Sequence, residues 1–282
     1  DILVLDNLSR GRLVNLSEAL ASGRVRVVEG DIRDVGDVQR AVDGCALVFH
    51  EAAIRITQCA EEPRLAKDVL VDGTFNVLEA ARDAGVKRLV FSSASSVYGD
   101  TLEVMDETHP LNSRHIYGAS KIAGEALVRA FSGMFGLPCV TLRYMNVYGP
   151  HAGFGLVDSV LNRIASGQAP LINGDGSQSF DFVFVDDVAG ATVRAMEAEV
   201  ADEVFNVGSG EEKTVKDVTL ALLELTGAGL VPEFRDVQVP MVRRVGSSEK
   251  AGRLLGWQAT VPLAEGLRRV VEEQFHGRAP VE

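Results

Sequence analysis

Short apolar runs that end on polar or acidic residues recur along the first 150 positions, with stretches of helical spacing between them. This alternation constrains the fold more than any other feature of the chain. Residues 2–5 are closed by Asp6 and Asn7, residues 25–28 by Gly30 and Asp31, and residues 46–49 by His50 and Glu51. Runs of this length and character suit strands of a parallel sheet buried on both faces. Between them, Leu13, Leu16 and Leu20, then Val35, Val38 and Val42, then a long stretch over 63–84, carry the spacing of helices packed by one face. A strand over 88–92, a helix over 117–135 and a strand over 139–144 continue the series, with Gly136 and Pro138 marking the last turn. The expected fold is α/β, a doubly wound parallel sheet of Rossmann type.

Past Pro150 the texture changes. Glycines crowd at 153, 155, 167, 174 and 176, short elements run on to Trp257, and a last helix starts at Leu263. The reading is a dinucleotide-binding domain over 1–149 and a smaller C-terminal substrate-binding lobe over 150–282, with the apolar segments inside 181–208 able to rejoin the main sheet. A chain of 282 residues is long enough for one sizeable core and such a lobe.

Composition narrows the partners. No apolar run approaches the ~20 residues a spanning helix needs, so no membrane partner is expected. A formal charge of −12 argues against nucleic acid, whose affinity for proteins comes largely from Lys and Arg on phosphates. Cys45, Cys59 and Cys139 match neither a disulfide framework nor metal-ligand spacing, which points to the cytoplasm and to no metal. Residues 1–5 read as a strand in mid-fold, so the chain is expected to lack its first strand-helix unit of about 25 to 30 residues.

Asp6, at the end of what would be the second strand, can accept both hydroxyl protons of an adenosine ribose, or simply cap a turn; Arg10 and Arg12 leave a 2′-phosphate open. Asp31 and Ile32 fit an acceptor for the adenine amino group and an apolar wall on its ring, while Asp31 could equally cap the next helix. Tyr117 and Lys121 stand four residues apart, which stacks a phenol and an ammonium on one helix face. A phenol is a poor base near neutrality, and a neighbouring ammonium favours its ionised form. A Tyr and a Lys at this spacing can also just pack; the surrounding motifs decide.

Those motifs are Phe91-Ser92-Ser93-Ala94-Ser95-Ser96-Val97-Tyr98-Gly99 after one strand and Leu142-Arg143-Tyr144-Met145-Asn146-Val147-Tyr148-Gly149-Pro150 after the next. Gly73-Thr74-Phe75-Asn76, Gly174-Asp175-Gly176, Asp181-Phe182, Asn206-Val207-Gly208 and Leu255-Gly256-Trp257 add to them in order. The constellation, spread from Asp1 to about Leu267, resembles the extended short-chain dehydrogenase/reductases that act on nucleotide sugars, the epimerase/dehydratase group. The resemblance implies NAD as cofactor, held by Asp6, Asn7, Asp31, Ile32, Ala52, Ala53, Ser93, Tyr117, Lys121, Tyr144 and Val147. It implies Tyr117 as base, Lys121 as clamp on the nicotinamide ribose, and Ser95 and Ser96 as hydroxyl partners. Ser95, Asn146 and Arg235 would meet the substrate, a nucleotide-diphosphate sugar of the UDP-hexose kind. A homodimer through the helices near 63–84 and 117–135 is implied as well.

Three positions depart from the group's pattern. Ala94 stands where many epimerases place the bridging hydroxyl, so Ser95 or Ser96 must supply it. Phe180 replaces an Arg that grips the diphosphate, leaving Arg235, Arg243 or Arg244 to contribute charge. Leu70 occupies a place where the group often has Asn. The tip of the serine segment carries no acid, which favours epimerisation over dehydration or decarboxylation. Two alternatives remain: a dehydratase, decarboxylase or other sugar-nucleotide oxidoreductase of the same group, and, from another class, a dinucleotide-binding module without catalysis.

Overall fold

The computed structural model describes residues 1–237 and 242–276. Its strands are β1 (Ile2–Asp6), β2 (Val25–Glu29), β3 (Leu47–His50), β4 (Arg88–Ala94), β5 (Cys139–Tyr144), β6 (Asn146–Tyr148), β7 (Leu171–Asn173), β8 (Ser179–Phe184), β9 (Glu203–Val207), β10 (Glu212–Thr214), β11 (Glu233–Arg235) and β12 (Arg243–Arg244). The chain divides into two compact units. The first holds 1–99, 111–143 and 195–205, and the second holds 100–110, 144–194 and 206–282.

In the first unit the strands alternate with helices as the sequence pattern requires. The order β3-β4-β5-β9 forms a four-stranded sheet, and β1 pairs in parallel with β2 from Ile2↔Val25 to Asp6↔Glu29. Among the described residues β1 makes no ladder with β3, so the parallel strands fall in two sheets. Ile2, Leu47 and Phe49 are exposed there, although apolar residues of this kind are buried in an undivided parallel sheet. Elsewhere the core is closed: Val77, Leu78, Ala81, Leu89, Phe91, Val128, Phe131 and Cys139 pack into one buried cluster.

The long stretch over 63–84, expected as one helix, is in fact three pieces. Helix Pro63–Lys67 passes through a π-helical turn, Asp68–Asp72, into helix Gly73–Asp83. The wider turn frees a carbonyl, and the Thr74 hydroxyl caps it by donating to Leu70 O at 2.8 Å. His50 Nε2 lies 2.9 Å from the same hydroxyl, so His50 donates and Thr74 accepts. Burial lowers the His50 pKa to about 3, with Lys121 adding to the shift, so the ring is neutral. Gly73 leaves room for Ile32, whose Cδ1 would stand 2.6 Å from any Cβ placed there. The remaining differences are small: β3 lies one residue later than expected, β4 runs two residues further, and the stretch around Leu13–Leu16 is a 3₁₀ turn followed by a short helix, Ser17–Ala21.

The second unit is built around β8, which pairs with β10, β12 and β6. Its core joins Tyr148, Leu161, Phe182, Phe184, Leu222 and Leu267. Asp181 is fully buried and accepts from Ser209 N (2.7 Å), Ser209 Oγ (2.8 Å) and Gly210 N (3.0 Å), which pins the turn after β9 onto β8. Asp187 does the same for Thr260 and Val261, and Trp257 Nε1 donates to Asp187 O at 2.9 Å. Two motifs of the second half, Asp181-Phe182 and Leu255-Gly256-Trp257, are therefore structural latches.

Leu78 has no solvent exposure and sits at the centre of the first unit's cluster. Leu78→Ala is expected to cost about 2–5 kcal/mol of stability, read from the midpoint of urea unfolding.

Candidate active site

The catalytic candidates lie in the first unit, on helix Ile116–Phe135 and at the carboxyl end of β4. The helix starts cleanly because His115 is extended and its Nδ1 accepts from Gly118 N at 3.2 Å. Tyr117 and Lys121 then fall one turn apart on one face, with the Lys121 ammonium 6.0 Å from the Tyr117 ring centre and 5.1 Å from that of Phe91. Lys121 is 2% exposed and donates to Ser92 O at 2.6 Å. Burial pulls its pKa down to about 8, opposed by Glu51, Glu125 and the Cys59 thiol.

Tyr117 packs against Cys59, Ala66, Val69 and Leu70, with Ile54 and Ala53 at the edge of the same cluster. Burial there pushes its pKa up to about 12; Cys59 adds to the rise and Arg10 opposes it. The sequence reading expected the ammonium and a cationic nicotinamide together to favour the phenolate of an otherwise poor base. In this apolar setting desolvation wins, and the phenol is protonated at neutral pH. Leu70, in the π turn, contributes to that dry wall.

The serine segment folds as a 3₁₀ turn, Ser95–Tyr98, whose residues are all buried. Ser93 Oγ donates to Glu125 Oε1 at 2.5 Å, so Ser93 is tied to the helix. Ser96 is 4% exposed, and its Oγ has no hydrogen-bond partner among the described residues. A buried hydroxyl without a partner is costly, and a ligand oxygen would satisfy it. Gly118 allows the approach of the two segments, since a Cβ at that position would stand 2.6 Å from Ser96 O.

At the ends of β1 and β2 the structure brings Asp6, Asn7 and Asp31 together. Asp6 Oδ1 accepts from Leu8 N at 2.7 Å, and Asn7 Nδ2 donates to Asp31 Oδ2 at 2.9 Å. The Arg33 guanidinium holds Asp31 far below the usual carboxylate range. Asp31 does not cap the following helix; Asp34 does, accepting from Asp37 N. Asn76 donates to Ile32 O at 2.9 Å and fixes the loop that presents Ile32. These groups fit the adenosine end of a dinucleotide: carboxylates for ribose hydroxyls and an apolar side chain for the base.

The other expected contact residues belong to the second unit. Tyr144 is half-buried with its hydroxyl 2.8 Å from Thr192 Oγ1, Asn146 and Val147 are exposed on β6, and Arg235 is exposed on β11. Phe180 packs edge-on against Phe182, with ring centres 6.1 Å apart. Ala52, in the first unit, follows β3 and is half-buried. The sequence reading passed over Glu125, Cys59 and Gly118. Glu125 carried a signal, standing four residues past Lys121 on the same face; Cys59 carried none, because its approach to Tyr117 is tertiary.

A doubly wound sheet with a buried Tyr/Lys pair beside a serine segment, and carboxylates at the ends of two parallel strands, defines a dinucleotide-dependent oxidoreductase site. Residues 1–208 match the NAD dependent epimerase/dehydratase family, and the chain belongs to it. NAD is accordingly its cofactor. The chain is 36% identical to the UDP-glucose 4-epimerase of Mycolicibacterium smegmatis, over 96% of this chain and 90% of that one. It superposes with a TM-score of 0.91 and 32% identity on UDP-glucose 4-epimerase from Thermotoga maritima with UDP-glucose, covering 98% and 91% of the two chains. The corresponding enzyme of Thermus thermophilus in complex with NAD gives 0.88 and 33%, covering 99% and 92%.

The unpartnered Ser96 hydroxyl and the tied Ser93 hydroxyl predict opposite outcomes. Ser96→Ala is expected to leave the melting temperature unchanged or raise it, because no folding hydrogen bond is lost, while NAD-dependent turnover falls. Ser93→Ala is expected to lower stability by about 1–3 kcal/mol, as it strips a buried carboxylate of a donor. Calorimetry beside a turnover assay separates the two.

Proposed function

We propose that this protein is an NAD-dependent nucleotide-sugar epimerase acting on a UDP-hexose at C4, in the cytoplasm and as a homodimer. The observation that carries the reading is the Tyr117/Lys121 pair set against a serine tip, Ser95 and Ser96, that holds a free hydroxyl and no acid. Bound NAD supplies a hydride acceptor beside the pair. Tyr117 Oη takes the proton of the sugar hydroxyl as the hydrogen on the same carbon departs with its electron pair, leaving a keto sugar. Lys121 would hold the nicotinamide ribose and stabilise the phenolate, and Ser96 Oγ would bridge the sugar oxygen and Tyr117, being able to donate and accept at once. Once the keto sugar has presented its other face, Tyr117 would give the proton back, with bound NAD supplying the hydride and unchanged overall.

Asp6 and Asn7 take the adenosine ribose in this reading, Asp31 and Ile32 the adenine, and Ala52, Ala53, Ser93, Tyr144 and Val147 line the rest of the cofactor. Asn146 and Arg235 meet the nucleotide diphosphate. A tip acid is what dehydration or decarboxylation needs to protonate or deprotonate the intermediate; Ser95 and Ser96 cannot serve. The free thiols Cys45, Cys59 and Cys139 suit a reducing compartment, and among the described residues no helix is long and apolar enough to cross a membrane.

Incubation with NAD and a panel of UDP-hexoses and UDP-hexuronic acids, followed by chromatography and mass, tests the activity. A same-mass epimer is expected, falling about 10²–10⁴-fold in Tyr117→Phe with NAD binding retained. A product lighter by water or carbon dioxide would replace the epimerase with a dehydratase or decarboxylase, and NAD binding without turnover would favour a binding module.

The dimer reading rests on helices Gly73–Asp83 and Ile116–Phe135, which expose Phe75, Met134 and Phe135 beside the Arg82 guanidinium, 4.9 Å from the Phe135 ring centre. Met134→Asp with Phe135→Asp is expected to give a monomer in light scattering, with the circular dichroism spectrum kept.

A further inference from the structure

The helix face that carries Tyr117 and Lys121 continues, four residues on, to Glu125, and that carboxylate is the hub of a buried network. Arg143, on β5, donates to it twice, from Nε to Oε1 at 2.9 Å and from Nη2 to Oε2 at 2.7 Å. The two side chains are 4% and 5% exposed. The same Arg143 donates from Nη1 to Tyr98 Oη at 2.9 Å and stacks 4.9 Å over the Tyr98 ring centre. Ser93 donates to Glu125 at 2.5 Å. Ser93 and Tyr98 bracket Ser95 and Ser96, so both ends of the serine segment are tied to one ion pair. Lys121 adds a third tie at Ser92 O.

We propose that the Glu125–Arg143 pair is a positioning device for the reaction, setting the register between the serine segment and Tyr117. This inference rests on the epimerase reading above and names what keeps its hydroxyl partner in place. Stability alone does not explain the pair, because a buried ion pair generally contributes no more than well-packed apolar side chains of the same size. The placement does explain it. Glu125 stands two helical turns from Tyr117, about 12 Å along the axis at 1.5 Å per residue, and touches no reacting atom. What it holds is the backbone on both sides of the hydroxyls, in a segment whose Ser96 carbonyl oxygen lies against Gly118, the residue after Tyr117.

The pair also faces the ammonium. The groups around Lys121 are His50 and Glu51 from the end of β3, Cys59 from helix Ile56–Glu61, and Tyr117 and Glu125 from its own helix. His50 is neutral, so Glu51 and Glu125 are the anions that keep Lys121 charged. Removing the Glu125 charge while Arg143 remains shifts the ammonium to deprotonate at lower pH.

The test uses the full chain with NAD and the UDP-hexose turned over by the wild type, and compares Glu125→Met/Arg143→Met and Glu125→Gln. The double variant is expected to keep its melting temperature within a few degrees. Its kcat should fall about 100-fold, the cost of a displacement near 1 Å, while KM and NAD affinity move much less. The alkaline limb of the kcat profile should move to lower pH in Glu125→Gln. Amide hydrogen exchange at 95–98 should speed up in the double variant while that of β4 and β5 stays slow. A double variant with wild-type kcat and unchanged protection at 95–98 would overturn the proposal. Should the wild type turn over no nucleotide sugar, the epimerase reading fails, and exchange at 95–98 alone then decides whether the pair holds the segment.

Discussion

An ammonium in a nearly water-free place organises the first unit. Lys121 is compensated by Ser92 O, by the faces of Phe91 and Tyr117, and by Glu51 and Glu125 at a distance. Withdrawing a charge from water costs several kcal/mol, so the groups around it cannot be loosely placed. Each compensating contact also fixes something useful. The Ser92 carbonyl fixes the end of β4; the ring of Phe91 is admitted by Gly124, where a Cβ would stand 2.7 Å from Phe91 Cζ. Helix and strand end are locked together by the requirement to satisfy one cation.

That arrangement explains a tension in the site. The pocket that protects Tyr117 also raises its pKa to about 12, so the protein by itself favours the protonated phenol. A phenol held in this way ionises more readily when further positive charge comes beside it. The apolar wall of Cys59, Leu65, Val69 and Leu70 makes the coupling stronger, because a charge in a dry pocket is felt more than one in water.

Much of this was legible in the sequence, and the limits were physical. The parallel strands, the helix with Tyr117 and Lys121, and the serine segment all show as local patterns, because burial on two faces and burial of one helical face leave different periods. The split of the 63–84 stretch did not show. A π turn keeps the apolar spacing of a helix and depends on the Thr74 hydroxyl and on His50, 24 residues away. The apolar segments inside 181–208 signalled that the unit boundary is not a single cut, and 195–205 does join the first unit, while the crossing of 100–110 into the second unit left no such mark. The tie of Ser93 to Glu125 lay beyond reach because it spans 32 residues, although the i, i+4, i+8 series of Tyr117, Lys121 and Glu125 was in plain view.

The three departures from the family pattern read differently once placed. Leu70 is a working part of the dry wall around Tyr117, where an amide would have brought a polar group that needs partners. Phe180 belongs to an edge-on aromatic series with Phe182 in the second unit's core, so the position has been given to packing. Lys213 and Arg244 are the register partners of Phe180 on the two strands that flank it, and paired residues in neighbouring strands share a face. Arg244 is further marked by a buried Nε without a hydrogen-bond partner among the described residues and by an Asp100 carboxylate 3.9 Å away, too far for a hydrogen bond. A positive charge thus remains on the face that Phe180 vacates, one strand over. Ala94 completes the pattern, since removing one hydroxyl from the serine segment leaves Ser96 as the buried group that still lacks a partner.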